Sequence, residues 1–189
     1  MVAQPHDVGL SYAQYLALEG ETHERFQFLD GEVFAMAGGT LRHAKLIANL
    51  TAALGGALGD GPCQAYSSDA KLRVAATGLA TYPDLSVICG APETHPEDPN
   101  AATNPALVAE VLSPSTEAWD RGGKFHHLKQ VQSLRHYLLV SVDAVRVERF
   151  ERADHGTWTY REHGAGETVE LADLGVTFTV DALYRNLPE

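Results

Sequence analysis

Two apolar segments in the middle of the chain constrain its fold more than any other feature. Residues 81–89 and 106–112 are nearly continuous apolar runs, a pattern typical of β-strands that are covered on both faces. The segment between them, residues 90–105, is rich in proline, asparagine and acidic residues, which indicates a surface loop. The sequence therefore predicts two neighbouring core strands that a loop connects.

Helical and strand patterns are intermixed along the rest of the chain. Ser11 is placed to cap a helix over residues 12–19, and Asp30-Gly31 marks a hairpin turn within residues 25–36. Residues 41–58 are predicted to form an amphipathic helix, because leucines recur there at spacings of three and four. A further helix should follow Thr116 and end near residue 132. The remaining predictions are strands at residues 64–67, 70–75, 136–142, 144–152, 157–161, 168–171 and 176–180, and a short helix at residues 181–186. This order predicts an α+β or α/β protein with a mixed sheet, flanking helices and additional strands in the C-terminal half.

Composition narrows the class of protein. A chain of 189 residues, 44% of them hydrophobic, can bury one sizeable core, so we expect a single domain over residues 1–189. The chain has no apolar run of the roughly 20 residues that a membrane span needs, and its start lacks a signal-peptide pattern. A cytoplasmic protein with no membrane partner is therefore expected. Cys63 and Cys89 form no Cys-x-x-Cys pair, and we expect both to be reduced, buried residues.

The charge of the chain bears on whether it binds nucleic acid. A formal net charge of −11 counts against broad attraction to DNA or RNA, because that attraction depends on neutralising phosphates with lysine and arginine. It does not exclude a nuclease, since the carboxylate ligands of a metal ion add negative charge by design. A dimer can also confine basic residues to one cleft, and the β-rich C-terminal half suggests a homodimer that embraces a duplex.

Two acidic residues interrupt the apolar segments. Asp84 lies at the start of one segment and Glu110 near the end of the other. Burying a carboxylate costs several kcal/mol unless it is paired, hydrogen-bonded or bound to a metal. One explanation is structural: Asp84 caps a turn after Pro83, and Glu110 pairs with a basic residue of the next helix. The other is that the two carboxylates converge and offer Mg²⁺ or Mn²⁺ the oxygen ligands that these ions prefer.

Asp120-Arg-Gly-Gly-Lys124 favours the second explanation. Lys124 lies one helical turn beyond Asp120, so its ammonium group could reach across the edge of the sheet. There it would polarise a water molecule or stabilise charge that develops on a phosphate.

Four motifs resemble a known family. They are Tyr82-Pro-Asp-Leu-Ser-Val, Val108-Ala-Glu-Val-Leu-Ser-Pro-Ser-Thr, Asp120-Arg-Gly-Gly-Lys and Leu134-Arg-His-Tyr-Leu-Leu-Val. Together they resemble the Uma2 (DUF820) family of proposed endonucleases, from the hairpin at residues 28–33 to about residue 142 and more weakly beyond. The resemblance implies a restriction-endonuclease-like, PD-(D/E)XK fold. It also implies that Asp84 and Glu110 are metal ligands and catalytic residues.

The chain departs from that pattern at two positions. Leu112 stands where the superfamily has its lysine, two residues after the second acid, and we expect Lys124 to supply the missing ammonium group. Gln27 stands where related sequences commonly carry an acid. Glu24 is a candidate accessory residue, and Glu21 or Glu32 could also substitute for the missing charge.

The preferred interpretation is a metal-dependent endonuclease that hydrolyses phosphodiester bonds in DNA. Mg²⁺ or Mn²⁺ would be held by Asp84, Glu110 and the carbonyl of Val111, with assistance from Lys124. His43 and Asp120 are further accessory candidates. Two alternatives remain open: an inactive module that keeps the nuclease fold for binding or assembly, and a hydrolase of small phosphoesters.

Overall fold

The chain folds around two large β-sheets. The computed structural model describes residues 7–36 and 38–188. One sheet contains β1 (Phe26–Leu29), β2 (Glu32–Ala35), β4 (Lys71–Val74), β5 (Leu79–Thr81), β7 (Thr94–His95) and β8 (Asp98–Ala102), in the order β2-β1-β5-β4-β8-β7. The second contains β3 (Cys63–Ser67), β6 (Leu85–Cys89), β9 (Pro105–Leu112), β10 (His136–Ser141), β11 (Arg146–Arg152) and β12 (Trp158–Gly164), in the order β12-β11-β10-β9-β6-β3. We call these the first and the second sheet.

Both sheets are mixed. In the second sheet β9 and β10 run parallel, and the other neighbours are antiparallel. In the first sheet only the β4–β8 pairing is parallel among the described strands. A separate antiparallel pair, β13 (Thr168–Leu171) with β14 (Val176–Thr179), completes the strands of the C-terminal half. The predicted mixed sheet with additional C-terminal strands is confirmed, and the first sheet adds a second layer.

The helices lie beside these sheets. They are α1 (Tyr12–Thr22), α2 (Leu41–Leu58), α3 (Glu117–Trp119), α4 (Phe125–Leu128) and α5 (Val180–Leu183). Ser11 and Gln14 form a capping box at the start of α1, as the N-cap prediction required. The leucines that predicted α2 form its buried side and pack in one core with β6, β9 and β10.

Local turn chemistry explains the hairpin between β1 and β2. Asp30 and Gly31 both have positive φ, 51° and 84°, which a two-residue hairpin turn requires and which aspartate and glycine tolerate better than most residues. The turn confirms the hairpin prediction. It also fixes the register that places Gln27 opposite Phe34.

Two predictions around the central strands were wrong. Residues 81–89 do not form one strand: Tyr82, Pro83 and Asp84 pass from β5 in the first sheet to β6 in the second. Proline has no N–H group for a sheet ladder, which is consistent with a break at Pro83. Residues 90–105 were predicted to form a surface loop, but they contain β7 and β8 of the first sheet. Asp98 on β8 is buried and accepts a hydrogen bond from Lys71 on β4.

The predicted helix after Thr116 is shorter than expected and irregular. It comprises α3, a π-helical turn at Asp120–Lys124 and α4, and it ends at Leu128 rather than near residue 132.

The two cysteines were also predicted wrongly. Cys63 and Cys89 lie opposite each other on antiparallel β3 and β6, and they form a disulfide bond. In the described part of the chain, no helix combines the length and apolarity that crossing a membrane would demand.

Candidate active site

The two acidic residues that interrupt the apolar segments lie side by side. Glu110 is on β9, whose residues are all buried, and Asp84 directly precedes β6, the antiparallel neighbour of β9. The backbone N–H of Asp84 donates to Glu110 Oε2 at 3.3 Å, and the N–H of Val111 donates to Asp84 Oδ2 at 2.8 Å. The register of the two strands therefore brings both carboxyl groups to one end of the second sheet.

Lys124 reaches the same point from the helical segment that follows β9. Its Nζ lies 2.6 Å from Glu110 Oε1 and 3.7 Å from Asp120 Oδ1. Its side chain is only 4% exposed, so the ammonium group is directed inward rather than toward solvent. Leu112, which occupies the usual lysine position, is buried in the apolar core instead. The structure thus brings together the acids and the lysine that the sequence singled out.

The π-helical turn is the local feature that carries Lys124. A side chain at Gly123 would place its Cβ 2.1 Å from the Trp119 ring, so glycine lets the indole fold back over the turn. The Trp119 Nε1–H group donates to Gln27 Oε1 at 3.0 Å. Arg121 forms two hydrogen bonds with Glu148 on β11, at 2.5 and 2.7 Å, which tie the turn to the second sheet. π-helical turns are frequent at functional sites.

Sequence reasoning missed these supporting residues. Arg121 and Gly123 lie inside the Asp120-Arg-Gly-Gly-Lys motif but were given no role, and Trp119 and Glu148 lie outside every motif. The spacing of four between Trp119 and Gly123 was a usable signal, because residues four apart on a helix are neighbours. Glu148 gave no signal, since its partner Arg121 lies 27 positions earlier in the chain.

Some of the accessory candidates lie at the site and others lie outside it. Gln27 borders the site, but its Oε1 already accepts hydrogen bonds from Trp119 and from Thr81 Oγ1, the latter at 3.1 Å. Glu24 is exposed and does not line the cleft, so the structure gives no support to its role as an accessory residue. Glu24 lies between α1 and β1, outside the strand that places Gln27 in the site. The alternatives Glu21 and Glu32 are exposed and likewise do not line the cleft.

His43 and Asp120 do lie at the site. His43 Nε2 is 2.9 Å from the Val111 carbonyl oxygen and 3.5 Å from Asp84 Oδ2. The hydrogen bond with Asp84 raises the pKa of His43, and burial opposes that shift. Asp120 is buried beside Lys124, and burial raises the pKa of its carboxyl group. Both side chains therefore belong to the electrostatic environment of Asp84 and Glu110.

Burial and ion pairing act in opposite directions on the pKa values of Glu110 and Lys124. Burial raises the pKa of Glu110 well above its usual range, although Lys124 opposes the shift. Burial alone would lower the pKa of Lys124, but Glu110 and Asp120 raise it overall. Glu110 Oε1 is buried and lies 2.6 Å from the ammonium group, so this ion pair is the main compensation for the burial of the carboxylate.

These residues lie at the edge of a large cleft. Its volume is about 970 Å³, which lies within the range typical of ligand-binding sites. The charged and polar residues of its lining include Asp84, Glu110, Asp120, Lys124, His43, Arg42, Gln27 and Asp143. The apolar residues of its lining include Phe34, Met36, Leu41, Trp119, Val142 and Pro188.

The donor set fits a hard divalent cation. In residues 7–36 and 38–188, no group of three or more His, Cys, Asp or Glu side chains is arranged to hold a metal ion. Mg²⁺, however, commonly takes one or two carboxylates and keeps several waters. The carboxylates of Asp84 and Glu110 and the carbonyl of Val111 lie next to one another and offer such a set. These three groups are the ones that could hold Mg²⁺ or Mn²⁺.

Comparisons with known proteins identify the family of the chain. Residues 12–182 match the Uma2 family, whose description is "Putative restriction endonuclease". Two uncharacterized proteins of Synechocystis sp. are similar to the chain. One, slr1290, is 38% identical over 181 residues, which is 94% of this chain and 93% of that protein. The other, sll1609, is 33% identical over 162 residues, which is 86% of this chain and 91% of that protein.

A solved structure supports the fold. The crystal structure of a putative nuclease belonging to DUF820 from Anabaena variabilis has a TM-score of 0.76 with this chain. The similarity covers 93% of this chain and 98% of that one at 12% sequence identity, so it bears on the fold alone. The family match extends over most of the chain and includes Asp84, Glu110 and Lys124. The chain therefore belongs to the Uma2 family of putative restriction endonucleases.

Proposed function

We propose that the protein is a metal-dependent endonuclease that hydrolyses phosphodiester bonds in DNA. Asp84, Glu110 and the Val111 carbonyl would hold Mg²⁺ or Mn²⁺, and Lys124 would assist the reaction. The observation that carries the proposal is the 2.6 Å contact between Lys124 Nζ and Glu110 Oε1 beside Asp84. This contact provides a lysine next to two acids although Leu112 occupies the usual lysine position.

Each residue has a defined task in this proposal. A bound divalent cation supplies a Lewis acid that neutralises charge on the scissile phosphate and makes water a stronger nucleophile. The N–H of Val111 donates to the Asp84 carboxylate and orients it toward the cation. His43 orients the Val111 carbonyl through a hydrogen bond of 2.9 Å. Lys124 is buried, so its positive charge is weakly screened and stabilises negative charge that develops on the phosphate oxygens.

DNA as the substrate is supported by the family description, since restriction endonucleases cleave DNA. The cleft of about 970 Å³ can accept a polymer segment with its phosphate near Asp84. The homodimer expected from the sequence stays a prediction. Gel filtration with light scattering would measure the molecular mass in solution.

Cleavage of supercoiled plasmid in the presence of Mg²⁺ or Mn²⁺ tests the proposal. Wild type should nick the plasmid only when the metal is present. Asp84→Asn, Glu110→Gln and Lys124→Met should each lower the rate at least about 10²-fold, the usual cost of removing a group that stabilises charge in the transition state. Glu24→Gln is the matched control, because it removes a carboxylate that is exposed outside the cleft. Circular dichroism melting would show that each variant folds.

Two added measurements separate the alternatives: Mn²⁺ binding by calorimetry and hydrolysis of a model phosphodiester. A folded wild type that binds Mn²⁺ but cleaves only a model phosphodiester would be a small-phosphoester hydrolase. A wild type that binds no divalent cation would be a binding or assembly module that keeps the fold, and the proposed function would be wrong. The apolar residues that line much of the cleft favour the first of these two alternatives over the second, because they can receive an organic group next to the phosphate.

A further inference from the structure

Helix α2 differs in charge from the rest of this acidic chain. The sequence has 25 aspartate and glutamate residues against 14 lysine and arginine residues. In the 18 residues of α2, however, there is no acidic residue, while Arg42 and Lys45 lie in its first two turns. The N-terminal end of the helix borders the candidate active site, since Leu41, Arg42 and His43 line the cleft. A positive region therefore adjoins the mouth of the cleft.

The C-terminal segment adds to this region. Asn49 on α2 donates through Nδ2 to the carbonyl oxygens of Leu183 and Arg185, at 2.7 and 3.0 Å. Arg42 donates through Nη1 to the carbonyl oxygen of Pro188 at 3.0 Å. Residues 183–188 therefore run along α2 toward the cleft, which Pro188 also lines.

Lys45 lies on the same side of the helix as this segment. Arg42, Lys45 and Asn49 are spaced by three and four residues, so they share one face of α2. Lys45 is about 5 Å along the helix axis from Arg42, given a rise of about 1.5 Å per residue. Arg185 is exposed, and its backbone is bonded to Asn49, one turn beyond Lys45. We call Arg42, Lys45 and Arg185 the basic face.

Lys124, which lines the cleft, and the nearby Arg121 are already engaged by acids, whereas the basic face is not. Lys124 contacts Glu110, and Arg121 contacts Glu148. None of the three residues of the basic face forms an ion pair within the described ranges. Arg42 uses its Nε and Nη1 groups on backbone carbonyls, which hold its charge in place without neutralising it. These charges remain available to an external anion.

We propose that the basic face binds the phosphodiester backbone of a DNA strand and guides it into the cleft. This inference rests on the proposed function, because it concerns how the substrate of the same site is held. A row of separate positive charges that leads to a metal site matches a row of phosphates better than a single small anion. Binding through phosphate contacts is independent of base sequence and sensitive to salt.

Fluorescence anisotropy with a short fluorescein-labelled DNA duplex in EDTA measures this binding without cleavage. The test variant is the double substitution Lys45→Gln with Arg185→Gln. It should bind DNA more weakly at every salt concentration, and the slope of log affinity against log salt should fall by about 2, about 1 for each lost phosphate contact. Its thermal melting and Mn²⁺ binding should equal those of wild type, because neither residue contacts Asp84 or Glu110.

The matched control is Lys129→Gln with Arg161→Gln. It removes the same amount of positive charge, but Lys129 follows α4 and Arg161 lies on the edge strand β12. The control should keep the wild-type slope. Equal losses in the test and control variants would mean that only net charge matters, and the inference would be overturned. It would also be overturned if wild type bound no DNA at low salt.

The outcomes distinguish this inference from the proposed function. If DNA binding depends on Lys45 and Arg185 but no metal-dependent cleavage occurs, the basic face is real and the nuclease proposal fails. If wild type cleaves DNA and the double variant binds and cleaves it equally well, the nuclease proposal stands and the basic face is refuted.

Discussion

The protein buries two lysines among carboxylates, and the two clusters differ in how their hydrogen bonds are satisfied. Lys71 on β4 lies 2.7 Å from both Glu19 Oε2 and Asp98 Oδ2. The hydroxyl of Tyr12 donates to Asp98 at 2.9 Å, and the hydroxyl of Tyr82 donates to Glu19 at 3.0 Å. We call these five residues the Lys71 cluster. Each of its carboxylates thus receives hydrogen bonds from an ammonium group and from a tyrosine.

The Lys124 cluster consists of Asp84, Glu110, Asp120 and Lys124. Here one lysine meets several acids, with a short contact to Glu110 and a longer one of 3.7 Å to Asp120. The other Glu110 oxygen, Oε2, accepts from the backbone N–H of Asp84 at 3.3 Å. This cluster also faces a cleft of about 970 Å³, whereas of the Lys71 cluster only Tyr82 lines that cleft.

The pKa shifts differ in direction between the two clusters. Burial alone would raise the pKa of Asp98, but hydrogen bonds from Lys71 and Tyr12 lower it overall. Burial raises the pKa of Glu110 and of Asp120, and Lys124 does not reverse either shift. A cluster in which lysine and tyrosine donors serve two carboxylates stabilises the fold, whereas one lysine shared by several acids next to a cavity leaves room for a further cation. The comparison therefore supports the proposal that the Lys71 cluster serves stability and the Lys124 cluster serves function.

The largest expected effect is on stability at Lys71. Lys71→Met would leave Glu19 and Asp98 buried without their cation, which typically costs about 3–5 kcal/mol. Urea unfolding followed by circular dichroism measures the loss. Lys129→Met serves as the control, because a surface lysine away from such partners should change stability by no more than about 0.5 kcal/mol. A loss below about 1 kcal/mol for Lys71→Met would contradict a stabilising role for the cluster.

A comparable effect, on activity rather than stability, is expected at Lys124. Lys124→Met should lower metal-dependent cleavage about 10²–10³-fold, the range typical of removing a group that stabilises transition-state charge. Lys71→Met, assayed at a temperature where it is fully folded, should cleave at the wild-type rate. The comparison breaks if both variants lose activity to the same extent.

The sequence predicted the Lys124 cluster better than the Lys71 cluster. Asp84 and Glu110 were visible because each interrupts an apolar segment, and Lys124 was visible from its spacing to Asp120. Lys71 gave no comparable signal, since its partners Glu19 and Asp98 lie 52 and 27 positions away. Contacts across such distances depend on sheet order, which local periodicity does not encode.

The same limit explains the errors in the fold. Most helices and strands were predicted near their observed positions, because turn residues and apolar periodicity act locally. The pairing of Cys63 with Cys89 and the inclusion of β8 in the first sheet depend on strand register between distant segments. The π-helical turn depends on the contact of Trp119 with Gly123 and Gln27, and Gln27 lies 92 positions from Trp119.

The disulfide bond bears on both clusters, because the chain segment that it closes contributes residues to each of them. Cys63 and Cys89 are separated by 26 positions, and Lys71, Tyr82 and Asp84 lie between them. Closing a loop of this length stabilises a protein by about 3.5 kcal/mol in the chain-entropy description. Dithiothreitol should lower the unfolding free energy of wild type by about that amount. It should not affect Cys63→Ala with Cys89→Ala, and an equal response of this variant to the reductant would contradict the role of the bond.

Acid titration tests the direction of the Asp98 shift. The folded-state pKa of Asp98 is lowered, so its contribution is complete above the unfolded pKa of about 3.9 and is lost as the pH falls through the folded value. Asp98→Asn should cost about 2 kcal/mol at neutral pH, the scale of hydrogen bonds to a charged group. Its stability should then fall less steeply than that of wild type below about pH 4. Urea unfolding over a pH series measures both, with exposed Asp69→Asn as the control. Parallel curves for wild type and Asp98→Asn would refute the shift.

The smallest expected effect is at the residue that links the clusters along the chain. The hydroxyl of Tyr82 donates a hydrogen bond to Glu19, and Tyr82 lies two positions before Asp84. Tyr82→Phe removes one hydrogen bond and should lower the unfolding free energy by about 1 kcal/mol. Mn²⁺ affinity and metal-dependent cleavage should stay at wild-type values, because the N–H of Val111 holds the Asp84 carboxylate independently of Tyr82. A loss of Mn²⁺ affinity with little change in stability would instead mean that the Lys71 cluster positions Asp84 through Tyr82 and Pro83. The division between a stabilising and a functional cluster would then give way to one continuous network.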